Sequence, residues 1–272
     1  GMGTVGTYVY QWTITNAPCT ASSDQMTVNV TAGPTTSNAG PNQNVCAGTT
    51  VTMAGNTPVS GTGLWTKISG PAGGTITTPT SPTSTITALV AGTYVYQWTI
   101  SGAPCPASTD QMSIIVSGAP TTANAGVDQT ICTSAGGVTM AGNTPTTGTG
   151  VWTQVSGPAS TITTASSSTT TVTGMGTVGT YVYQWTITNA PCTASSDQMT
   201  VTVTAGPTTS NAGPDQSVCA GTTATMAGNT PVSGTGLWTK ISGPAGGTIT
   251  APTSATSTIT ALVAGTYVYQ WT

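Results

Sequence analysis

The sequence predicts an all-β chain of tandem two-sheet sandwiches, each about 86–87 residues long. Three observations carry this. Pro34-Thr-Thr-Ser-Asn-Ala-Gly returns at Pro120, with Ala for Ser, and again at Pro207, spacings of 86 and 87 residues; self-similarity at one period marks a repeat architecture. Apolar and polar residues alternate with period two in short runs, the pattern of half-buried strands. No window shows a helical period, and Gly, Pro, Asn and Ser clusters punctuate every run as turns do.

The period sets the domains. Residues 1–33 read as the C-terminal part of a repeat, 34–119 as a complete repeat of type A, 120–206 as a complete repeat of type B, and 207–272 as a truncated type A. The types differ where Leu64-Trp-Thr-Lys-Ile-Ser-Gly-Pro, repeated from Leu237, becomes Val151-Trp-Thr-Gln-Val-Ser-Gly-Pro. The opening Gly1-Met-Gly-Thr-Val-Gly-Thr-Tyr reappears at Gly174, a super-period of 173, so the chain reads as a window on a longer array. Residues 1–33 supply at most the last two strands of a sandwich and 207–272 lack the final one, so neither is expected to fold alone.

Within 34–119 the runs Thr50-Val-Thr-Met, Gly63-Leu-Trp-Thr-Lys-Ile, Ser84-Thr-Ile-Thr-Ala-Leu, Thr93-Tyr-Val-Tyr-Gln-Trp-Thr-Ile and Gln111-Met-Ser-Ile-Ile-Val read as strands. About seven short strands in one period fit an immunoglobulin-like sandwich. Strand alternation puts Tyr94, Tyr96, Trp98 and Ile100 on one face, with Thr93, Val95, Gln97 and Thr99 on the other. Trp65, on the third strand, is expected to meet the aromatic face from the opposite sheet. Trp65, Tyr94, Tyr96 and Trp98 are thus core residues of repeat A, and Trp152, Tyr181, Tyr183 and Trp185 of repeat B. The competing reading is a carbohydrate-stacking platform.

Composition then removes whole classes of function. The chain holds two Lys+Arg, five Asp+Glu and no His or Phe, so charge makes up 3 % of it. Both cations are lysines and all acids are aspartates. General acid–base catalysis draws chiefly on His and Glu/Asp, and nothing here could activate a Ser or Cys nucleophile, so no enzyme is expected. The basic footprint of a nucleic-acid binder is missing, and no apolar run approaches a membrane span. Nothing resembling a signal peptide opens the chain, which starts on Gly; export is inferred from other features.

The remaining motifs favour structure over chemistry. Gly174-Met-Gly-Thr-Val-Gly matches the dinucleotide fingerprint, but a strand pattern follows where a helix is required; it is a turn, and no cofactor is expected. Asp24, Asp110 and Asp197 occupy one repeat position and Asp128 and Asp215 another, where repeat A has Asn42. Calcium wants six to eight oxygens, so these few acids read as loop caps and Asx-turns and no metal is expected. Lys67 and Lys240 could supply an isopeptide amine, but repeat B has Gln154 there, and an exposed edge-strand blocker is the favoured reading. The sequon Asn29-Val-Thr is lost in repeat B, which has Thr202-Val-Thr, and carries little weight.

Two cysteines per repeat, without His or a CxxC, point away from zinc and towards disulfides in an oxidising compartment. Cys46 is expected at the turn after the first strand, and Cys105 in the loop before the last. In a sandwich of this kind those lie at opposite ends, roughly 20 Å apart along a six-residue strand, beyond the reach of about 7 Å of a bridge. An interdomain staple, Cys46–Cys192, is therefore favoured, the other four cysteines pairing with repeats outside the window. The intradomain pairs Cys46–Cys105 and Cys132–Cys192, and neighbours such as Cys19–Cys46, remain alternatives.

The pattern Asn211-Ala-Gly-Pro-Asp-Gln-x-Val-Cys-Ala-Gly, Trp-Thr-x-x-Ser-Gly-Pro and Gly-Thr-Tyr-x-Tyr-x-Trp-Thr-Ile, followed by Cys and Ser-x-Asp-x-Met-x-Val, resembles PKD-like repeats across the whole window. Such repeats fill very large secreted surface proteins of Bacteroidetes-type bacteria, including adhesins of the gliding-motility kind. The resemblance implies export, commonly by the type IX route, and a stalk or adhesive role at the cell surface. The expected partners are neighbouring repeats of the same chain and surface polysaccharide. A self-assembling filament or sheath, in which copies of the chain contact one another, is the alternative, and low charge density offers little repulsion against it.

Overall fold

The computed structural model describes residues 3–272. Repeat A builds seven strands: β3 (Gln43–Cys46), β4 (Val51–Thr52), β5 (Thr62–Ser69), β6 (Thr75–Ile76), β7 (Thr85–Thr87), β8 (Gly92–Gly102) and β9 (Cys105–Ser117); before them, β1 (Gly6–Ile14) and β2 (Ser22–Val30) form an antiparallel pair. Repeat B follows with β10 (Gln129–Cys132), β11 (Gly137–Thr139), β12 (Thr149–Ser156), β13 (Thr161–Ile162), β14 (Thr171–Thr173), β15 (Gly179–Thr188) and β16 (Ser195–Thr204), plus one 3-10 turn at Thr133–Ala135. The last segment holds β17 (Ala224–Thr225), β18 (Trp238–Ser242), β19 (Thr248–Ile249), β20 (Thr258–Thr260) and β21 (Val268–Trp271).

Each complete repeat is a sandwich of a four-stranded sheet, ordered β3-β9-β8-β5 or β10-β16-β15-β12, and a three-stranded one, β4-β7-β6 or β11-β14-β13. The first strand runs parallel to the last, Val45 opposite Val116 and Ile131 opposite Val203. The other pairs of repeat A are antiparallel. The chain falls into two compact units. One comprises residues up to Ala123 with Thr144–Gly150 and Thr186–Ser196; the other comprises Asn124–Asn143, Val151–Trp185 and Asp197–Thr272.

Alternation along β8 buries Tyr94, Tyr96, Trp98 and Ile100, and β15 does the same with Tyr181, Tyr183, Trp185 and Ile187. Trp65 and Trp152 are buried too. Trp65 does not approach from the opposite sheet, however. It lies on β5 beside β8, directly opposite Trp98 in register, with ring centroids 5.0 Å apart. Neighbouring strands put in-register residues on one face, so the two indoles form a tilted pair inside a single sheet. Their N–H groups donate to Pro82 O and Asn56 O, both at 3.2 Å. An aromatic side chain buries about 150–250 Å², so each indole contributes about 4–6 kcal/mol of gross transfer free energy. Gly63 makes the close packing possible: a Cβ there would stand 2.1 Å from the Trp98 ring.

Candidate functional site

Three kinds of chemically distinctive residue remain: the cysteines, the aspartates and the lysines. Among the described residues, no group of three or more His, Cys, Asp or Glu could hold a metal, and no helix is long and apolar enough to cross a membrane. The acids have another use. Asp110 accepts the Ala39 amide at 2.7 Å and Asp197 the Ala125 amide at 2.8 Å. Asn42 and Asp128 take the Ser113 and Thr200 amides at 2.7 and 2.8 Å. These contacts fasten the segment before the first strand to the last strand, about 70 residues away, so the expectation of local caps and Asx-turns is corrected for these acids. The Asx-turns belong to Asn38 and Asn124, which accept the amides of Gly40 and Gly126.

Lys67 is not an exposed edge blocker. It follows Gly63 and Trp65 on the inner face of β5, and its ammonium donates to the carbonyls of Pro71 and Gly73 while lying 4.8 Å from the centre of the Tyr94 ring. Repeat B replaces this arrangement coherently. Gln154 donates to Pro158 O at 2.7 Å and accepts from the Ser160 hydroxyl at 2.8 Å, and that hydroxyl also bonds Tyr183 OH at 2.7 Å. In repeat A, Tyr96 OH donates instead to Gly74 O at 2.8 Å. Burial, and then the neighbouring Tyr94, push the Tyr96 phenol up to about 12. Tyr183 and Tyr269 are also raised, first by burial; for Tyr183 the Ser160 hydrogen bond pulls the other way.

Among the described residues, the cysteines form the one covalent cross-link. Cys46, at the end of β3, is bridged to Cys192 across 146 residues of sequence, with Cα atoms 4.9 Å apart. That spacing lies within the ordinary range for a bridge. Cys192 sits in a tight turn after the cis Ala190–Pro191 peptide, its amide donating to Asn189 O at 2.9 Å. Polar contacts hold this turn to the end of β9: Asn189 Nδ2 donates to Gly118 O at 2.8 Å, and Ser117 Oγ to Ala190 O at 3.1 Å. Cys192 Sγ lies 3.2 Å from Gly118 O.

Cys19, Cys105, Cys132 and Cys219 are free, so neither intradomain pair forms, and Cys19 is not joined to Cys46. The reason is length. Cys105 begins β9 rather than preceding the last strand in a loop, while Cys46 pairs with Ser117 at its far end. Twelve residues of extended strand separate Cys105 from that level by about 40 Å, twice the sequence expectation.

Sequence reasoning did not anticipate the Asn189–Gly118 and Ser117–Ala190 contacts, nor a role for the threonine of the Pro-Thr-Thr segments. Thr35 Oγ1 accepts the amides of Val59 and Ser60, both at 2.9 Å, and Thr121 and Thr208 do the same for their own loops. The only signal was a threonine at the same place in every copy of the segment.

The chain is similar to known proteins mainly at the level of its repeats. Among curated proteins none matches. Solved structures that align with the chain include Sidekick-1 immunoglobulin domains 1–5, at TM-score 0.41 and 15 % identity, covering 95 % of this chain and 61 % of that one. The insect immune protein hemolin aligns at TM-score 0.38 and 17 % identity, covering 73 % of this chain, which spans 56 % of hemolin's. A PKD domain from the KIAA 1837 protein aligns at TM-score 0.28 and 27 % identity, over 35 % of this chain and 93 % of that one. The family model described as K319L-like, PKD domain matches three successive segments, 39–116, 125–203 and 212–272, well over half of the sequence. The chain therefore belongs to the K319L-like PKD domain family, as a tandem array of its domains.

Proposed function

We propose that this chain is a stretch of stalk from a very large secreted bacterial cell-surface protein, an adhesin of the Bacteroidetes gliding-motility kind, exported by the type IX route. Its role is mechanical and non-catalytic: the repeats, with boundaries at 34, 120 and 207, space an adhesive tip or a surface polysaccharide contact away from the cell. The observation that carries the reading is the Cys46–Cys192 bridge, which ties one repeat to the next in a chain otherwise poor in reactive groups. Such a bridge suits an oxidising exterior and resists bending between repeats. Immunogold labelling of intact producing cells, with antibody raised against this chain, tests the proposal. Gold on fibres projecting from the surface is expected; label confined to the cell interior overturns it.

A further inference from the structure

The Cys46–Cys192 bridge forms part of the wall of an open cleft of about 560 Å³, which Asn44, Thr49, Pro191 and Thr193 also line. The two cysteines are partly buried, while Ala47, Gly48, Thr49, Pro191 and Thr193 beside them are exposed. Among the described residues, none that lines the cleft is charged, so charge neither attracts nor repels a small molecule there. Cleft and bridge lie within the first compact unit. The two sandwiches that supply them each have all seven of their strands.

Two hydrogen bonds hold this joint besides the sulfur–sulfur bond. Asn189 Nδ2 donates to Gly118 O at 2.8 Å, and Ser117 Oγ to Ala190 O at 3.1 Å. Cys46 is fixed from the other side, because it pairs in register with Ser117 and the adjacent Ala47 amide donates to Ser117 O at 2.8 Å. With the bridge open, a Cys192 thiol has Gly118 O and Ser117 O as acceptors, 3.2 and 3.5 Å from its sulfur. Repeat A makes the equivalent connection with Gly102 where repeat B has Asn189. The turn itself therefore does not need the amide side chain, whose donor serves the joint.

We propose that this cleft is a thiol–disulfide exchange site for low-molecular-weight thiols and their disulfides, with Asn189 and Ser117 as positioning residues that keep the two sulfur atoms together while the bridge is open. The bridge is then a reversible lock on a joint that persists without it. A thiolate from the medium attacks one bridge sulfur; the Cys46–Cys192 bond breaks, a mixed disulfide forms, and the other cysteine leaves as a thiolate and takes up a proton. A second thiolate attacks the small-molecule sulfur of the mixed disulfide, so that the small disulfide departs and the remaining cysteine is protonated. Two small thiols have then lost two electrons and two protons, and the bridge has gained them. The small disulfide drives the reverse sequence, whose last step is intramolecular, so its rate follows the effective concentration that the two hydrogen bonds maintain. The inference goes beyond the stalk reading and does not rest on it, since exchange requires only a thiol in the surrounding medium.

The test uses the 272-residue chain with Cys19, Cys105, Cys132 and Cys219 replaced by Ser, so that thiol capture reads this bridge alone. Reduced glutathione is added without denaturant, and new thiols are trapped with a maleimide at intervals. The opening rate should rise in proportion to glutathione while tryptophan fluorescence keeps its folded value. It should also stay within about twofold on adding 1 M urea, whereas sulfur atoms reached only through unfolding would open about fivefold faster or more. Oxidised glutathione then closes the reduced chain. Asn189→Gly combined with Ser117→Ala should slow closing at least about tenfold and leave opening unchanged. Asn189→Gly alone, the residue repeat A carries, should slow closing at least about threefold, and decides the matter if the double variant loses the folded fluorescence. An opening rate that climbs with urea, or a bridge that stays closed until the fluorescence changes, overturns the exchange site. Closing indifferent to the substitutions, or opening altered as much as closing, overturns the positioning role.

Discussion

Replacing Cys46 and Cys192 together by Ser, in a background where the four free cysteines are already Ser, measures what the bridge contributes. A cross-link acts mainly on the unfolded chain, by removing the entropy of an open loop. With the two cysteines 146 positions apart in sequence, the chain-entropy relation gives about 5 kcal/mol at 25 °C, and native bridges typically contribute about 2–5 kcal/mol. The loss should be shared between the two repeats the bridge links, because the loop becomes fully disordered only when both have unfolded. Urea titration followed by tryptophan fluorescence is a suitable assay, since Trp65, Trp98, Trp152 and Trp185 are all buried. With a slope of about 1–3 kcal/mol per molar urea, the two midpoints together should fall by about 1–2 M. Midpoints within about 0.2 M of the parent would refute the reasoning, showing that the bridge does not restrain the unfolded chain.

Four further expectations concern the folded repeats. Between pH 5 and 9 stability should be nearly flat and insensitive to salt, because the chain has no His and few charges; a melting shift above about 10 °C in that range contradicts this. Above that window the buried tyrosines take over. Tyr96 keeps its proton when folded up to about 12, while the unfolded chain releases it near 10. Stability present below about pH 10 is therefore lost as pH rises towards 12, which melting scans with ultraviolet detection of phenolate can follow. Gly63→Ala should cost about 1–3 kcal/mol by overpacking Trp98; an unchanged urea midpoint would contradict the glycine's role. Asp110→Ala removes the tie to Ala39 and should cost about 1.5–3 kcal/mol. Asp24→Ala is the control, because Asp24 holds only the adjacent Gln25 amide and the melting of 34–206 should not move.

The architecture was legible because its signals are local and repeated. Alternation along Thr93–Ile100 gave the buried face of β8 directly, and the seven strands follow from runs between turn residues. The neighbour relations were less accessible. Nothing in the spacing of Trp65 says whether it faces Trp98 across the core or lies beside it, since both arrangements bury the same side chains. Lys67 misled for a related reason: an isolated lysine in a strand reads as exposed, and only the tertiary fold reveals the Pro71 and Gly73 carbonyls and the Tyr94 ring that receive it. Asp110 and Asp197 lie far in sequence from the amides they hold, so local turn chemistry was the nearest available reading.

The bridge also changes how far the chain can be drawn out. A fully extended polypeptide spans at most about 3.3–3.6 Å per residue, so the 146-residue separation of Cys46 and Cys192 corresponds to roughly 500 Å of potential lengthening. Tension applied between residues 34 and 206 reaches Cys46, crosses to Cys192 through sulfur, and leaves residues 47–191 outside the loaded path. Those residues include most of repeat A and the aromatic core of repeat B. Either sandwich could open under force without releasing that slack, so the linked pair yields like a short tether of fixed length rather than a spring that pays out a domain at a time.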